Sequence, residues 1–186
     1  TGARLIFRSE DLDADRVVDG AYERMIADLD WMGIDFDEPP VVQSTRKSLY
    51  LDALGRLHRD GRLYACTCSR RDVRDALDAA RDLPPTLRYP GTCRHASHPL
   101  ALTLAPSPHA VRFVSKGVFT FEDRFRGTMT QDAARDPGDI VVRRKDGHVA
   151  YMLAVVVDDI AAGVTDVVRG GDLLTSVAPQ RSLYDA

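Results

Sequence analysis

The sequence predicts an α/β fold, a parallel sheet wound with crossover helices and interrupted by a subdomain of different character. Three observations predict it. Over the first sixty residues short apolar runs alternate with helical stripes, and the order strand, helix, strand, helix places successive strands parallel. Between residues 65 and 108 lie all three cysteines and six of the ten prolines, material that an apolar core alone holds poorly. Beyond it, Tyr151–Val157 is apolar at every position and reads as a strand covered on both faces, as in a parallel sheet. The chain accordingly divides into residues 1–64, the first part of the core, 65–148, an inserted α+β subdomain, and 149–186, a return to the core.

Taken in order, Arg4–Arg8 is a short strand, and Ser9-Glu10-Asp11-Leu12-Asp13 puts three carboxylates at its end. Asp13 or Asp15 is placed to cap the next helix. Glu10, nearest the strand end, faces the same crevice as Arg169 if the strands run parallel. Val17, Val18, Ala21, Tyr22, Met25, Ile26, Leu29 and Met32 recur at helical spacing, and Gly33 stops that helix. Asp37–Pro40 forms a turn, Val41-Val42 a strand, and Ser44 the N-cap of a helix whose stripe is Leu49, Tyr50, Ala53, Leu54 and Leu57, ended by Gly61. Both stripes are expected in the core.

Arg62–Cys66 leads into the insertion, where Ser69-Arg70-Arg71-Asp72 is a capping box opening a helix to about Ala80. Ala110–Val114, Val118–Phe121 and Ile140–Arg144 read as antiparallel strands. Lys145–His148 is a hairpin turn returning the chain to Val149. Asp158-Asp159 then ends the Tyr151–Val157 strand, Ala161–Gly163 turns, and Val164–Val168 forms a strand that delivers Arg169 to its carboxyl end, before Gly170-Gly171-Asp172. Ligands of open α/β sheets sit beyond the carboxyl ends of strands. Arginine forks onto a carboxylate or phosphate, and the glycines allow close approach. The bland alternative is an ordinary ion pair of Arg169 with Asp166 or Asp172.

Composition sets the bounds. The 186 residues, 44% hydrophobic and 28% charged, suit one globular domain or one domain carrying an insertion. No apolar run reaches membrane-spanning length and no signal peptide precedes the first strand. Three cysteines is an odd number, and Cys66-Thr67-Cys68 is poor geometry for a mutual disulfide. A reducing compartment with thiolates as metal ligands fits better, so a cytoplasmic location is expected. The net charge of −3 hides a basic middle, ten basic against six acidic residues over 84–148. A polyanion would land there, a solvated surface being the alternative. The chain has no initiator Met, and both ends look cut from something longer.

Cys66-x-Cys68 and the later Tyr89-Pro-Gly-Thr-Cys93-Arg-His95 form two short clusters separated by a loop. That is how structural zinc sites are built, with four tetrahedral ligands, mostly thiolates and imidazoles. Three thiolates leave the fourth ligand open among His95, Tyr89 and His98; a phenol bound to zinc can lose its proton. Three free structural cysteines are the competing reading, and the irregular loop's need of a staple favours metal.

These parts, in this order, resemble the glutamyl-type class I aminoacyl-tRNA synthetases. Arg8-Ser-Glu10-Asp-Leu-Asp13 is similar to their R-[IF]-E-D-[TIL]-D motif, and C-x-C…Y-x-G-x-C-R to their zinc-binding insertion. Ala150–Asp159 and Gly163–Leu173 are similar to their later core, and the resemblance covers almost the whole chain. It implies a Rossmann-like class I catalytic core, here partial, with an inserted zinc-binding α+β subdomain. The nearest branch lacks the anticodon-binding domain and acts on queuosine. Ala150-Tyr151-x-Leu-Ala favours that branch over an ordinary glutamyl-tRNA synthetase, where Thr-Tyr-x-Phe-Ala is usual.

The resemblance further implies ATP-dependent activation of glutamate, with Mg2+, and transfer to queuosine in the anticodon of tRNA(Asp). It puts Glu10 on the glutamate ammonium group, Tyr151 and Arg169 in the rest of the amino-acid pocket, and Zn2+ on Cys66, Cys68, Tyr89 and Cys93. The Cys-x-His cluster of ordinary glutamyl-tRNA synthetases would put His95 in place of Tyr89. No residue is singled out as a catalytic acid, base or nucleophile. The HIGH- and KMSKS-type motifs of the class are absent from these 186 residues. The chain is therefore expected to be part of a longer enzyme, or else to have lost catalysis and to serve as a zinc-stabilised RNA- or amino-acid-binding module.

Overall fold

In the computed structural model, which describes residues 2–79 and 89–186, the chain divides into two units, Thr1–Leu49 and Tyr50–Ala186. The first holds β1 (Arg8–Ser9), α1 (Ala21–Trp31) and β2 (Val41–Val42), with 3-10 turns at Ala14–Arg16 and Gln43–Arg46. β1 and β2 are parallel, Arg8 opposite Val41 and Ser9 opposite Val42, as the crossover order requires. Phe7 lies between the rings of Tyr22, at 6.3 Å, and Phe36, at 5.3 Å. Asp11 accepts hydrogen bonds from the backbone N–H and the hydroxyl of Ser44, at 2.8 and 2.5 Å. Ser44 is therefore not the N-cap of the helix that follows: it lies inside the 3-10 turn before that helix, held by a carboxylate from the end of β1. Gly33 (φ 73°) ends α1.

The stripe expected to be core in α1 is only half-buried, and only at Ala21, Tyr22, Ile26 and Leu29. Val17, Val18, Met25 and Met32 are exposed: the two valines precede the helix, and its ring contact is from Tyr22 to Phe7. Helical spacing alone does not give the width of the buried face.

In the second unit, α2 (Lys47–Arg59) buries Tyr50, Leu54 and Leu57, each such burial stabilising by roughly 1.5–3 kcal/mol. β3 (Leu63–Cys66), β4 (Ala110–Phe113) and β7 (Ile140–Arg143) form an antiparallel sheet in the order β3-β4-β7. α3 (Arg70–Ala79) follows β3 and opens as expected: the Ser69 N–H donates to the Asp72 carboxylate at 2.7 Å, and the Asp72 N–H to the Ser69 hydroxyl at 3.2 Å. Pro84 and Pro85 lie outside the described residues.

The strand expected from Val118 has a partner that sequence reading left unassigned. β5 (Val118–Asp123) and β6 (Gly127–Asp132) form a hairpin. Asp123 closes its turn by accepting the N–H groups of Phe125 and Arg126. The turn after β7 is as expected, with the Arg144 N–H on the His148 carbonyl and Val149 bridged to Arg143.

Two expectations fail in the last segment. Tyr151–Val157 is not a strand but the start of α4 (Tyr151–Ala162). Its consecutive buried residues Leu153, Ala154, Val155 and Val156 show a helix enclosed on most sides, and a short apolar run carries no period to distinguish the two. Asp158 does not end it. Its carboxylate is buried and accepts the Tyr50 hydroxyl at 2.9 Å, and the helix runs on to Gly163, whose φ of 66° forms the left-handed cap. Val164–Val168 is likewise no strand; it is irregular, with Val164, Val167 and Val168 exposed. A 3-10 turn (Gly171–Ser176) leads into α5 (Val177–Tyr184), which packs on α4.

Candidate functional site

The cysteine site is assembled by β3 and two irregular strings that pass its end. Cys66 closes β3 and Cys68 follows before α3. Tyr89 is fixed by its N–H on the Pro137 carbonyl and by a parallel bridge to Gly138. Gly91, at a φ of 80°, then turns the chain so that Cys93 comes back to the Tyr89 phenol. The Cys93 N–H donates to the Tyr89 phenol oxygen at 2.8 Å.

The three sulfurs lie within 4.8 Å of one another, the Cys68–Cys93 pair 3.6 Å apart. The Tyr89 oxygen is 3.4 Å from the Cys66 sulfur and 3.7 Å from the Cys68 sulfur. A tetrahedral zinc with ordinary metal–sulfur and metal–oxygen lengths spaces its ligands at about 3.8 Å for two sulfurs and about 3.5 Å for sulfur and oxygen. The donor set fits such an ion. His95 is exposed, and His98 stacks on His109 with ring centroids 5.1 Å apart.

Within this cluster the electrostatics favour the thiolate at Cys93. Burial pushes the Cys93 thiol up, but hydrogen bonds from Tyr89, from the Thr67 amide and hydroxyl, and from Cys68 outweigh it and bring it down to about 6. The Cys68 thiol is pushed up to about 11, chiefly by burial. Burial and the neighbouring Cys66 and Cys93 hold the Tyr89 phenol well above its usual range. A bound dication would lower all of these values, since its charge favours every deprotonated ligand.

A polar frame encloses the cluster, and sequence reading missed it. Arg112, from the middle of β4, donates to the Cys66 sulfur at 3.3 Å and lies 3.6 Å over the Tyr89 ring. It also donates to the Asp139 carbonyl at 2.7 Å. The Asp139 carboxylate is fully buried and accepts the Tyr64 hydroxyl at 2.7 Å and the Ser115 N–H at 3.1 Å. The available signal was Arg112 itself, a lone cation in an apolar strand.

The residues expected to bind the amino acid lie in different units. Glu10 lies in the first, exposed, and accepts from the Arg8 guanidinium at 3.3 Å. Tyr151 and Arg169 lie in the second, Tyr151 opening α4 and Arg169 in the loop before α5. The ion pair weighed for Arg169 is not formed: Asp166 pairs with Arg124 instead, and Arg169 donates to the Gln180 side-chain oxygen at 2.7 Å. Close approach at the two glycines comes from the protein itself. A Cβ at Gly170 would meet the Asp172 carboxylate, and one at Gly171 the Arg126 guanidinium.

Similarity to known proteins extends along the chain. Residues 1–186 match the family model described as tRNA synthetases class I (E and Q), catalytic domain. The chain is 46% identical over 181 residues to a glutamyl-Q tRNA(Asp) synthetase of Burkholderia cenocepacia, covering 96% of this chain and 59% of that protein. With the enzyme of that name from Chromobacterium violaceum it shares 45% over 189 residues, covering 100% and 60%. The chain thus spans about three fifths of these relatives' length. Among solved structures, a glutamate tRNA ligase from Elizabethkingia meningosepticum, in complex with its amino acid, superposes with a TM-score of 0.77 at 24% identity, covering 99% of this chain and 40% of that one. The match in fold is to an α/β class I catalytic domain, and the chain belongs to the family of class I tRNA synthetases (E and Q).

Proposed function

We propose that this chain is the greater part of the catalytic core of a glutamyl-queuosine tRNA(Asp) synthetase. The enzyme activates glutamate with ATP and Mg2+ and transfers it to queuosine in the anticodon of tRNA(Asp), in the cytoplasm. The observation that carries the reading is the 45–46% identity to curated relatives of that name over nearly all of the chain.

In this reading residues 1–64 and 149–186 belong to a Rossmann-like core and residues 65–148 to a zinc-binding insertion. Glu10 takes the glutamate ammonium group, Arg169 a carboxylate, and the Tyr151 phenol adds a directional hydrogen bond. Zinc bound by Cys66, Cys68, Tyr89 and Cys93 would cross-link β3 to the returning loop, a structural rather than a chemical service. Arg112 then positions the Cys66 thiolate by its N–H and covers the Tyr89 ring. The chain's own contribution to the first half-reaction is to bind and orient glutamate.

Amino-acid-dependent pyrophosphate exchange by the natural full-length polypeptide tests the activation step. The expected result is exchange with glutamate, with glutamine and aspartate at least a hundredfold less effective. Absence of exchange with all twenty amino acids, in a well-folded protein, would replace the reading with that of a noncatalytic binding module.

A further inference from the structure

Arg169 has a single side-chain partner among the described residues, and that partner is uncharged. Its Nη1 donates to Oε1 of Gln180 at 2.7 Å. Gln180 sits on α5, more than nine-tenths buried between Pro179 and Arg181. Of the nearest carboxylates in sequence, Asp166 is engaged by Arg124 and Thr165, and Asp172 forms no ion pair with Arg169 among the described residues. The guanidinium is thus held in place without having its charge neutralised.

The other end of the same amide makes the point sharper. Gln180 Nε2 is buried and has no hydrogen-bond partner among the described residues. An enclosed donor left unpaired is a cost that native structures rarely keep without a reason. Methionine would fill the same volume without that cost. What methionine lacks is the carbonyl oxygen on Arg169, and a carboxylate in its place would cancel the cation.

We propose that Gln180 is a positioning residue for the amino-acid pocket: it fixes the Arg169 guanidinium through a neutral acceptor, so that the full cationic charge stays available to a carboxylate of the substrate. This rests on the reading of Arg169 as the carboxylate anchor. It accounts for a polar side chain on the buried face of α5, and for the orphaned nitrogen. It also selects for an anionic ligand, since Arg169 is left with a charge that only an anion completes.

The test is pyrophosphate exchange by the full-length enzyme carrying Gln180→Met, Gln180→Glu or Arg169→Ala, with thermal melts of each. Gln180→Met, which lets the guanidinium wander, is expected to raise the KM for glutamate about tenfold, the worth of one hydrogen bond to a charged group. The KM for ATP and the melting temperature should hardly change. Gln180→Glu keeps volume and acceptor but neutralises Arg169, and should raise the glutamate KM further than Gln180→Met does. A merely structural role predicts the reverse order, because glutamate preserves the contact that methionine loses. Loss of glutamate use in Arg169→Ala, with both Gln180 variants within twofold of the parent, overturns the positioning role and leaves the anchor standing. An Arg169→Ala enzyme with unchanged glutamate KM overturns both. Should Gln180→Met fail to fold, Gln180→Glu decides alone.

Discussion

Arg94 and Asp139 join the loop carrying Cys93 to the strand β7 region through two parallel hydrogen bonds, Nε at 2.8 Å and Nη2 at 2.6 Å from the two carboxylate oxygens. The carboxylate is fully enclosed, while about a third of the arginine side chain is exposed. The carboxylate holds the Arg94 guanidinium above its ordinary pKa. Because Tyr64 and the Ser115 N–H share the same carboxylate, this pair fastens the cysteine loop to the sheet.

Arg94→Ala should leave Asp139 buried with its best partner gone and destabilise by about 2–3 kcal/mol. Asp139→Asn, which loses the charge but keeps a carbonyl, should cost less than Asp139→Ala. Urea unfolding of the three variants measures this. Equal midpoints to the parent would show that the pair carries no stability.

The thiol cluster should take up close to one zinc per chain when the protein is purified without added metal. Less than a tenth of an equivalent in a well-folded protein would discard the site. Tyr89→Phe removes the oxygen that lies 3.4 Å from the Cys66 sulfur, and should weaken zinc retention against a chelator at least tenfold. His95, exposed in the structure, should be replaceable by alanine without loss of metal. The opposite pattern would return the fourth ligand to His95.

The residues of the thiol cluster were legible because a short-range pattern carries them. Cys66 and Cys68 are two apart, Tyr89 and Cys93 four apart, and each cluster announces itself. The capping box at Ser69 and Asp72 was readable for the same reason. What escaped notice depends on distant partners: Arg112 meets Cys66 across 46 positions, and Gln131 reaches the Leu174 carbonyl across 43. Tyr151–Val157 misled for a different reason, since seven successive apolar residues fit a buried strand and a buried helix equally. Only the Gly163 cap, six residues beyond, favoured the helix.

Acid should expose the capping box. Hydrogen bonds from the Ser69 backbone and hydroxyl hold the Asp72 carboxyl below its ordinary 3.8. A depressed folded-state pKa contributes stability that is present above 3.8 and fades as pH falls through the lower folded value. The parent should therefore melt above Asp72→Asn at pH 7, and the gap should narrow as pH falls below 3.8. A constant gap down to pH 2 would contradict the assignment.

Arg169→Lys separates charge from geometry in the pocket. Lysine restores the cation but not the fork, so glutamate use should recover only partly from the roughly 2–5 kcal/mol lost in Arg169→Ala. ATP affinity should stay level throughout the series. Full recovery by lysine would mean that a point charge suffices and that the bidentate contact is not made.

Transfer of radiolabelled glutamate by the full-length enzyme to purified tRNAs tests the central claim most directly. The account predicts labelling of tRNA(Asp) that contains queuosine, none of tRNA(Asp) that carries unmodified guanosine there, and none of tRNA(Glu). Labelling of tRNA(Glu), with queuosine-containing tRNA(Asp) left bare, would contradict it and assign the chain to an ordinary glutamyl-tRNA synthetase.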